Sequence, residues 1–222
     1  MDLQGFGGQL WLGAITTIEL ALAALLFGAL FGAIGCWLQL AKPRALRAIG
    51  FGYAAIVRGV PDLLIIFLIY FGGTQTLNAV AGRPVDLNAF AAGTFALALS
   101  FGAFASEIFR GAVQAVPRTQ SEAAAVLGLT RFQAFLTILA PQALRTGLPP
   151  FGNQAIVLLK QTSLVSVIGC DELMRKAAEA SGATRQPFTV YLAVALIYLL
   201  FTTAATLLLE ASERRASRHA RA

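Results

Sequence analysis

The sequence predicts an all-α transmembrane bundle, and three observations support this. Apolar residues make up 57% of the chain and charged residues only 13%, about half the usual quarter of a soluble chain. Mean hydropathy is +0.72. The apolar residues are gathered into long runs, with basic and turn-forming residues between them, the pattern that helices crossing lipid need. A water-facing fold with so few charges would expose aggregating apolar patches, so a soluble enzyme is close to excluded.

The remaining totals narrow the class. A net charge of +6 and a pI of 9.9 would suggest nucleic acid in a soluble chain. Here the basic residues sit in short stretches between apolar runs, and no basic groove with interleaved aromatics is present, so no nucleic-acid partner is expected. Cys36 and Cys170 have no metal spacing, and the single histidine, His219, lies in the basic tail. Nucleophile–histidine catalysis and a histidine-based metal site both lack parts. Neither a catalytic residue nor a metal is expected.

Five spans follow in order. Residues 10–41 are apolar except for Glu19 and Gln39, long enough to tilt in a bilayer that about 20 residues cross. Gly28 and Gly32 share a helical face on which another backbone can pack closely. Glu19 is expected to be satisfied by a neighbouring helix. No basic segment precedes this run, so a cleaved leader is not expected. Residues 49–80 contain Arg58-Gly59-Val60-Pro61-Asp62, where Pro61 should bend or break the helix and Arg58 should pair with Asp62. Residues 89–116 carry Glu107 and Arg110 three apart, a spacing that pairs them on one face. Residues 143–169 are apolar but interrupted by Pro149, Pro150 and Lys160. Cys170 to Pro187 reads as a polar loop. Residues 188–209 hold no charge and make about 33 Å of helix, followed by a basic tail.

An odd number of spans puts the termini on opposite sides. With the tail inside, ten lysines and arginines fall on that side and four on the other, which predicts N-terminus out and C-terminus cytoplasmic. Cys36 and Cys170 then lie on opposite sides of the bilayer and should not pair. Five helices enclose a polar pathway poorly, so a second five-helix unit, identical or related, is expected.

The cytoplasmic loop 117–141 is too polar to span. Thr119-Gln120-Ser121-Glu122 fits a capping box, Gly128 fits a left-handed helix stop, and Thr130-Arg131-Phe132-Gln133 fits a second box opening a short helix toward Pro141. A helix–glycine–helix of this kind suits either insertion into a groove on another protein or simple anchoring at the membrane surface. Within the spans, Lys160 must face protein or a wet cavity, because a charge in lipid costs at least about 2.5–3.5 kcal/mol. Gln161, Thr162, Ser163 and Ser166 lie beside it, and Asn153 and Gln154 two turns before. Together with Glu107, an intramembrane anion, they are the candidate lining of a solute pathway. The competing reading is that Lys160 pairs with an acid on another helix.

The residues also carry a resemblance. Glu122-Ala123-Ala124, then Gly128, Ile138 and Pro141, resemble the EAA signature of ATP-binding-cassette importer permeases. Thr16-Thr17-Ile18-Glu19-Leu20, Arg58-Gly59-Val60-Pro61-Asp62-Leu63, Glu107-Ile108-Phe109-Arg110-Gly111-Ala112, Ala115-Val116-Pro117 and Lys160-Gln161-Thr162-Ser163-Leu164-Val165-Ser166 are similar to that family's polar amino acid branch. Val60 and Asp62 look most like the Q-type subunit of histidine/lysine-arginine-ornithine and opine importers. The resemblance implies a non-catalytic permease subunit of a binding-protein-dependent importer in the bacterial inner membrane. Its solute would be a polar, basic amino acid or an opine-like derivative. Glu122, Ala123, Ala124 and Gly128 would couple the bundle to a dimer of ATP-binding subunits, which hold ATP and magnesium and drive alternating access. A periplasmic solute-binding protein and a second permease subunit, a paralogue ahead of a second copy, would complete the assembly. Family members often carry an acid where Gln161 stands, which argues against a cation-binding role for that position. One independent point agrees: a phosphate-binding loop needs Gly-Lys-Ser/Thr, and Lys42, Lys160 and Lys176 are followed by Pro, Gln and Ala. The alternative is an ungated or differently energised channel, which would need a self-contained pore and no capped cytoplasmic helix pair.

Overall fold

A computed structural model describes residues 5–84 and 86–218, and every regular element among them is helical. Helix α1 is Gly7–Leu40 and α2 is Arg44–Gly59. Helix α3 is Asp62–Ala81, with a π turn at Leu68–Gly72; α4 is Ala89–Ala115 and α5 is Arg118–Val126. Helix α6 joins Arg131–Ala134, a π turn at Phe135–Leu139 and Ala140–Gln161, then tightens into a 3-10 segment at Thr162–Ile168. Helix α7 is Leu173–Thr184 and α8 is Pro187–Arg218. His219 and Arg221 fall outside the described residues.

Among the described residues, four helices are long and apolar enough to cross a bilayer: Gly7–Leu40, Asp62–Ala81, Ala89–Ala115 and Pro187–Arg215. The segment expected to span at 143–169 is helical, but Arg145, the Pro149–Pro150 pair and Lys160 dilute it. On α1, Trp11 and Trp37 are both strongly exposed and stand about 39 Å apart along the axis. That separation reaches from one bilayer interface to the other, where tryptophan concentrates.

The chain departs from the sequence expectation at three places. Residues 49–80 do not form one continuous span, because Pro61 breaks the helix, the stronger of its two expected effects. Val60 is extended and Pro61 caps α3, its carbonyl accepting from the Leu64 and Ile65 amides at 2.9 and 3.2 Å. A proline lacking its own N–H is favoured at a helix start and costly in the interior, and here the chain breaks before it, so α2 is a separate amphipathic helix that begins at Arg44. The polar loop 170–187 contains α7, whose Leu173, Ala177 and Ala180 are buried at helical spacing. The helix that opens at Thr130 does not stop near Pro141. Pro141 lies in the first turn of Ala140–Gln161, just past a π turn in which the Ala140 amide bonds the Phe135 carbonyl, so its missing donor breaks nothing.

Helix α4 is the axis of the bundle. Ala96, Leu97, Ala98, Phe101, Ala103 and Ala105 are all nearly inaccessible. Helix α1 packs along it through the face predicted from its glycines: a methyl at Gly28 would stand 2.7 Å from Phe101 Cδ1, and one at Gly32 2.6 Å from Ala105 Cβ. The glycines therefore serve contact within the chain. Cys36 and Cys170 are separate buried thiols. Glu19 is exposed and has no ion-pair partner among the described residues. Thr17, Leu20, Ala21 and Ala24 are buried, and the helical pitch turns Glu19 to the opposite side.

Replacing Gly32 with valine should force α1 off α4 and cost about 1–3 kcal/mol, read as a lower unfolding midpoint of the detergent-purified protein. The same measurement on Gly111→Ala, where nothing lies within 4 Å of the added carbon, should show no loss.

Candidate functional site

Three polar constellations lie within the bundle and one structured elbow lies outside it. The first forms where α3, α4 and α6 converge. Pro61 fixes the start of α3 and sets Asp62 in its first turn, where the helix dipole favours a carboxylate. Asp62 accepts from the Ser100 hydroxyl of α4 and from the Gln161 amide of α6 at 2.6 Å. Two donors from different helices on one carboxylate make a cross-link at the end of the long α6 rod. The expected Arg58–Asp62 pair does not form, because the extended Val60–Pro61 link carries the two side chains to different faces.

Arg58 instead turns to the second constellation. Glu107 lies 2.6 Å from Arg110 and 3.9 Å from Arg58, and accepts from the buried Gln39 amide at 2.9 Å. The expected Glu107–Arg110 pair is present. Each arginine also stacks on a ring, Arg58 over Phe104 and Arg110 over Phe51, both at 5.4 Å. One carboxylate thus ties α1, α2 and α4 together, and its oxygens are engaged from within the chain.

The third constellation went unnoticed in the sequence. Glu172 has no accessible surface and caps α7, accepting from the Arg175 amide at 2.8 Å. The Thr17 hydroxyl of α1 and the Tyr198 hydroxyl of α8 donate to it at 3.3 and 3.2 Å, while the Leu173 amide donates to Thr17 at 3.1 Å. An acid directly before an apolar-periodic stretch was a readable capping signal; its side-chain partners, Thr17, 155 positions away on α1, and Tyr198, 26 positions away on α8, were not.

The other sequence candidates are spread apart. Thr162, Ser163 and Ser166 donate to the carbonyls three residues back at 2.8, 2.8 and 2.7 Å, which holds the 3-10 turn in place of the lost α-helical bonds. Asn153 is exposed and Gln154 half-buried. Lys160 points away from Gln161, into a cleft of about 500 Å³ that it lines with Ser163, Met174, Tyr191, Val194, Ala195 and Tyr198. No acid pairs with Lys160 among the described residues.

The elbow is built by two matched stops. Helix α5 ends in a Schellman motif: the Leu129 amide bonds the Ala124 carbonyl and the Gly128 amide the Ala125 carbonyl, both at 3.0 Å, with Gly128 at φ +77°. Thr130 then opens α6 with a complete capping box to Gln133. The Thr119–Glu122 box does not form, because Pro117 already starts α5 and puts Thr119 inside its first turn. Ala124 is buried, Glu122, Ala123 and Gly128 are exposed, and Val126, Leu127 and Phe132 present 88%, 75% and 71% of their surface.

The family described as "Binding-protein-dependent transport system inner membrane component" matches residues 24–218. The chain belongs to that family. Among its relatives, it is 40% identical to the nopaline transport system permease protein NocQ of Agrobacterium fabrum over 205 residues, covering 90% of this chain and 87% of that one. It is 38% identical to the histidine/lysine/arginine/ornithine transport system permease protein HisQ of Salmonella typhimurium, covering 97% and 96%. The fold matches the crystal structure of an amino acid ABC transporter with histidines at a TM-score of 0.85 and 33% identity, over 96% of this chain and 97% of that one. It matches the methionine transporter MetNI at 0.77 and 16% identity, a likeness of fold alone. The transport-system permease bundle described above is therefore a non-catalytic membrane subunit, and its family works with a separate ATPase and a binding protein.

Burial pushes the Glu172 carboxyl above its ordinary range, so the folded chain holds that proton more tightly than the unfolded one. The stability this contributes is complete below about pH 4.3, the ordinary glutamate value, and is lost as pH rises through the folded value. Thermal unfolding midpoints taken from acid to neutral pH should fall more steeply for the wild type than for Glu172→Gln.

Proposed function

We propose that this permease subunit imports a basic amino acid or an opine-like derivative by alternating access, with α5 and its Gly128 stop docked into a cytoplasmic ATPase. The observation that carries this reading is the elbow. A Schellman stop and a capping box fix an exposed Val126–Leu127–Phe132 tip in a chain whose family depends on a partner for energy. ATP and magnesium belong to that partner. The N-terminus lies outside and the C-terminus in the cytoplasm, which places the elbow on the nucleotide side; the basic residues at Lys42, Arg44, Arg118 and Arg131 support this orientation. The 143–169 segment serves as a fifth span, since α6 needs only protein or a wet cavity around its polar residues. A second permease subunit, a paralogue ahead of a second copy, closes the pathway, and a periplasmic binding protein delivers the solute.

The solute route is read along Asp62, Ser100 and Gln161. Helix α6 runs unbroken from the elbow to Gln161, about 45 Å, so displacement at Arg131 is transmitted to the hydrogen bond at Asp62. Relatives named for nopaline, histidine, lysine, arginine and ornithine support a solute bearing a cationic or guanidino group, for which Asp62 is a counter-ion.

Gly128→Val should abolish uptake while leaving membrane insertion intact, because a β-branched residue at positive φ rebuilds the elbow. The checks are radiolabelled solute uptake in cells and co-purification with an ATPase; wild-type uptake by this variant defeats the docking reading. Asp62→Asn should raise the half-saturating solute concentration by about tenfold or more, the loss of one charge-assisted contact, measured as solute-stimulated ATP hydrolysis of the reconstituted complex.

A further inference from the structure

Lys160 presents a problem that the solute route does not solve. Gln161 takes the side of α6 that faces Asp62, and Lys160 is turned about 100° away from it, into the cleft between α6, α7 and α8. The expected acid on a neighbouring helix is missing. Glu172, the acid nearest to this cleft through its bond to Tyr198, is fully buried and already bonded to Tyr198, Thr17 and the Arg175 amide. Asp171 and Glu179 are held by Lys176 at 2.8 and 3.1 Å. Lys160 is exposed on this cleft, an ammonium at membrane depth needs an anion, and the described residues do not supply one.

The cleft itself describes the anion. Its free polar donors are Lys160 and the Tyr191 hydroxyl, since the Ser163 and Tyr198 hydroxyls already donate to the Lys160 carbonyl and to Glu172; the rest of its wall is Met174, Val194 and Ala195. Tyr191 lies one helical turn from the start of α8 at Pro187, about 6 Å along the axis. With the N-terminus outside, that is the level of the outer headgroups, where tyrosine concentrates. A lysine stem of four carbons spans the gap from the apolar wall to that level by snorkelling. Tyr191 and Ala195 are followed at the same helical spacing by Leu199, which is 61% exposed, so the apolar floor of the cleft runs on down an exposed row of α8. Donors at the interface with an apolar track beneath them match a head that is anionic and a tail that is aliphatic.

We propose that this cleft binds an anionic phospholipid of the outer leaflet, with its phosphate on Lys160 and Tyr191 and an acyl chain along Ala195 and Leu199. The site rests on the orientation given above for its leaflet and is separate from the solute route at Asp62. Bound there, the lipid wedges α8 against α7 and the 3-10 segment, at the outer end of the same helix that carries Gln161.

The test uses the chain with the subunits that co-purify with it, exchanged into micelles containing phosphatidylglycerol or phosphatidylcholine, with native mass spectrometry counting the retained lipids. Wild type should retain phosphatidylglycerol in preference to phosphatidylcholine. Lys160→Met should lose about fivefold in that retention, the worth of one lysine at a lipid surface, and Lys160→Arg should keep it. Tyr191→Phe, which leaves the fold and the charge in place, should show a partial loss. Equal retention by wild type and Lys160→Met overturns the site. So does a Lys160→Met complex whose half-saturating solute concentration rises while lipid retention stays the same, because that puts Lys160 on the solute route. Neither result touches the docking of α5, which stands or falls on co-purification with the ATPase.

Discussion

The contact of α1 with α4 is the constraint on which the rest of the bundle depends. In lipid there is no hydrophobic drive to bring two apolar helices together, so close backbone packing must do it. Gly28 and Gly32 let α1 reach the backbone and side chains of Ala98, Phe101 and Ala105. Gln39, Ser106 and Glu107 then come within hydrogen-bonding distance near the end of α1. At the other end, Thr17 is carried to Glu172. A wider spacing would break the Gln39 tie to Ser106 and Glu107 and leave desolvated groups behind.

The two carboxylates at those ends, Glu107 and Glu172, have the same structural purpose achieved by different chemistry. Glu107 is held by two guanidinium groups and an amide. Glu172 has no cation and depends on hydroxyls and the amides at the start of α7. The first is half-open and ion-paired; the second is sealed, and burial makes its ionised form costly. Between them, Asp62 is the acid whose contacts come from helices that also lead to the elbow, through α6. That difference in connection, more than any difference in residue type, is why Asp62 is the one read as facing the solute.

Helix α6 also shows how polar residues are tolerated at depth. Pro149 and Pro150 remove two donors, the π turn at Phe135–Leu139 absorbs the shift before Pro141, and the hydroxyls of Thr162, Ser163 and Ser166 occupy carbonyls at the far end. Local repairs of this kind are available only to backbone shielded by protein or lining a wet cavity. They also explain why this helix is not apolar enough to read as a span by composition alone, although it carries the residues nearest the proposed route.

Much of the molecule was legible because its physics is local. The lipid solvent, the glycine face of α1, the break at Pro61, the Glu107–Arg110 pair and the Thr130 box each follow from composition, periodicity or a spacing of three or four residues. The Thr119 box failed for an equally local reason, since Pro117 already held the helix start. What the tertiary structure alone decided are the long-range meetings: Asp62 with Ser100 and Gln161 in place of Arg58, Thr17 with Glu172, and Lys160 turned from Gln161 into an unpaired cleft. Neighbouring letters on a helix point about 100° apart, so a polar run such as 160–163 reads as one site on the page. Only the packing of α3, α7 and α8 against different sides of α6 divides it into two.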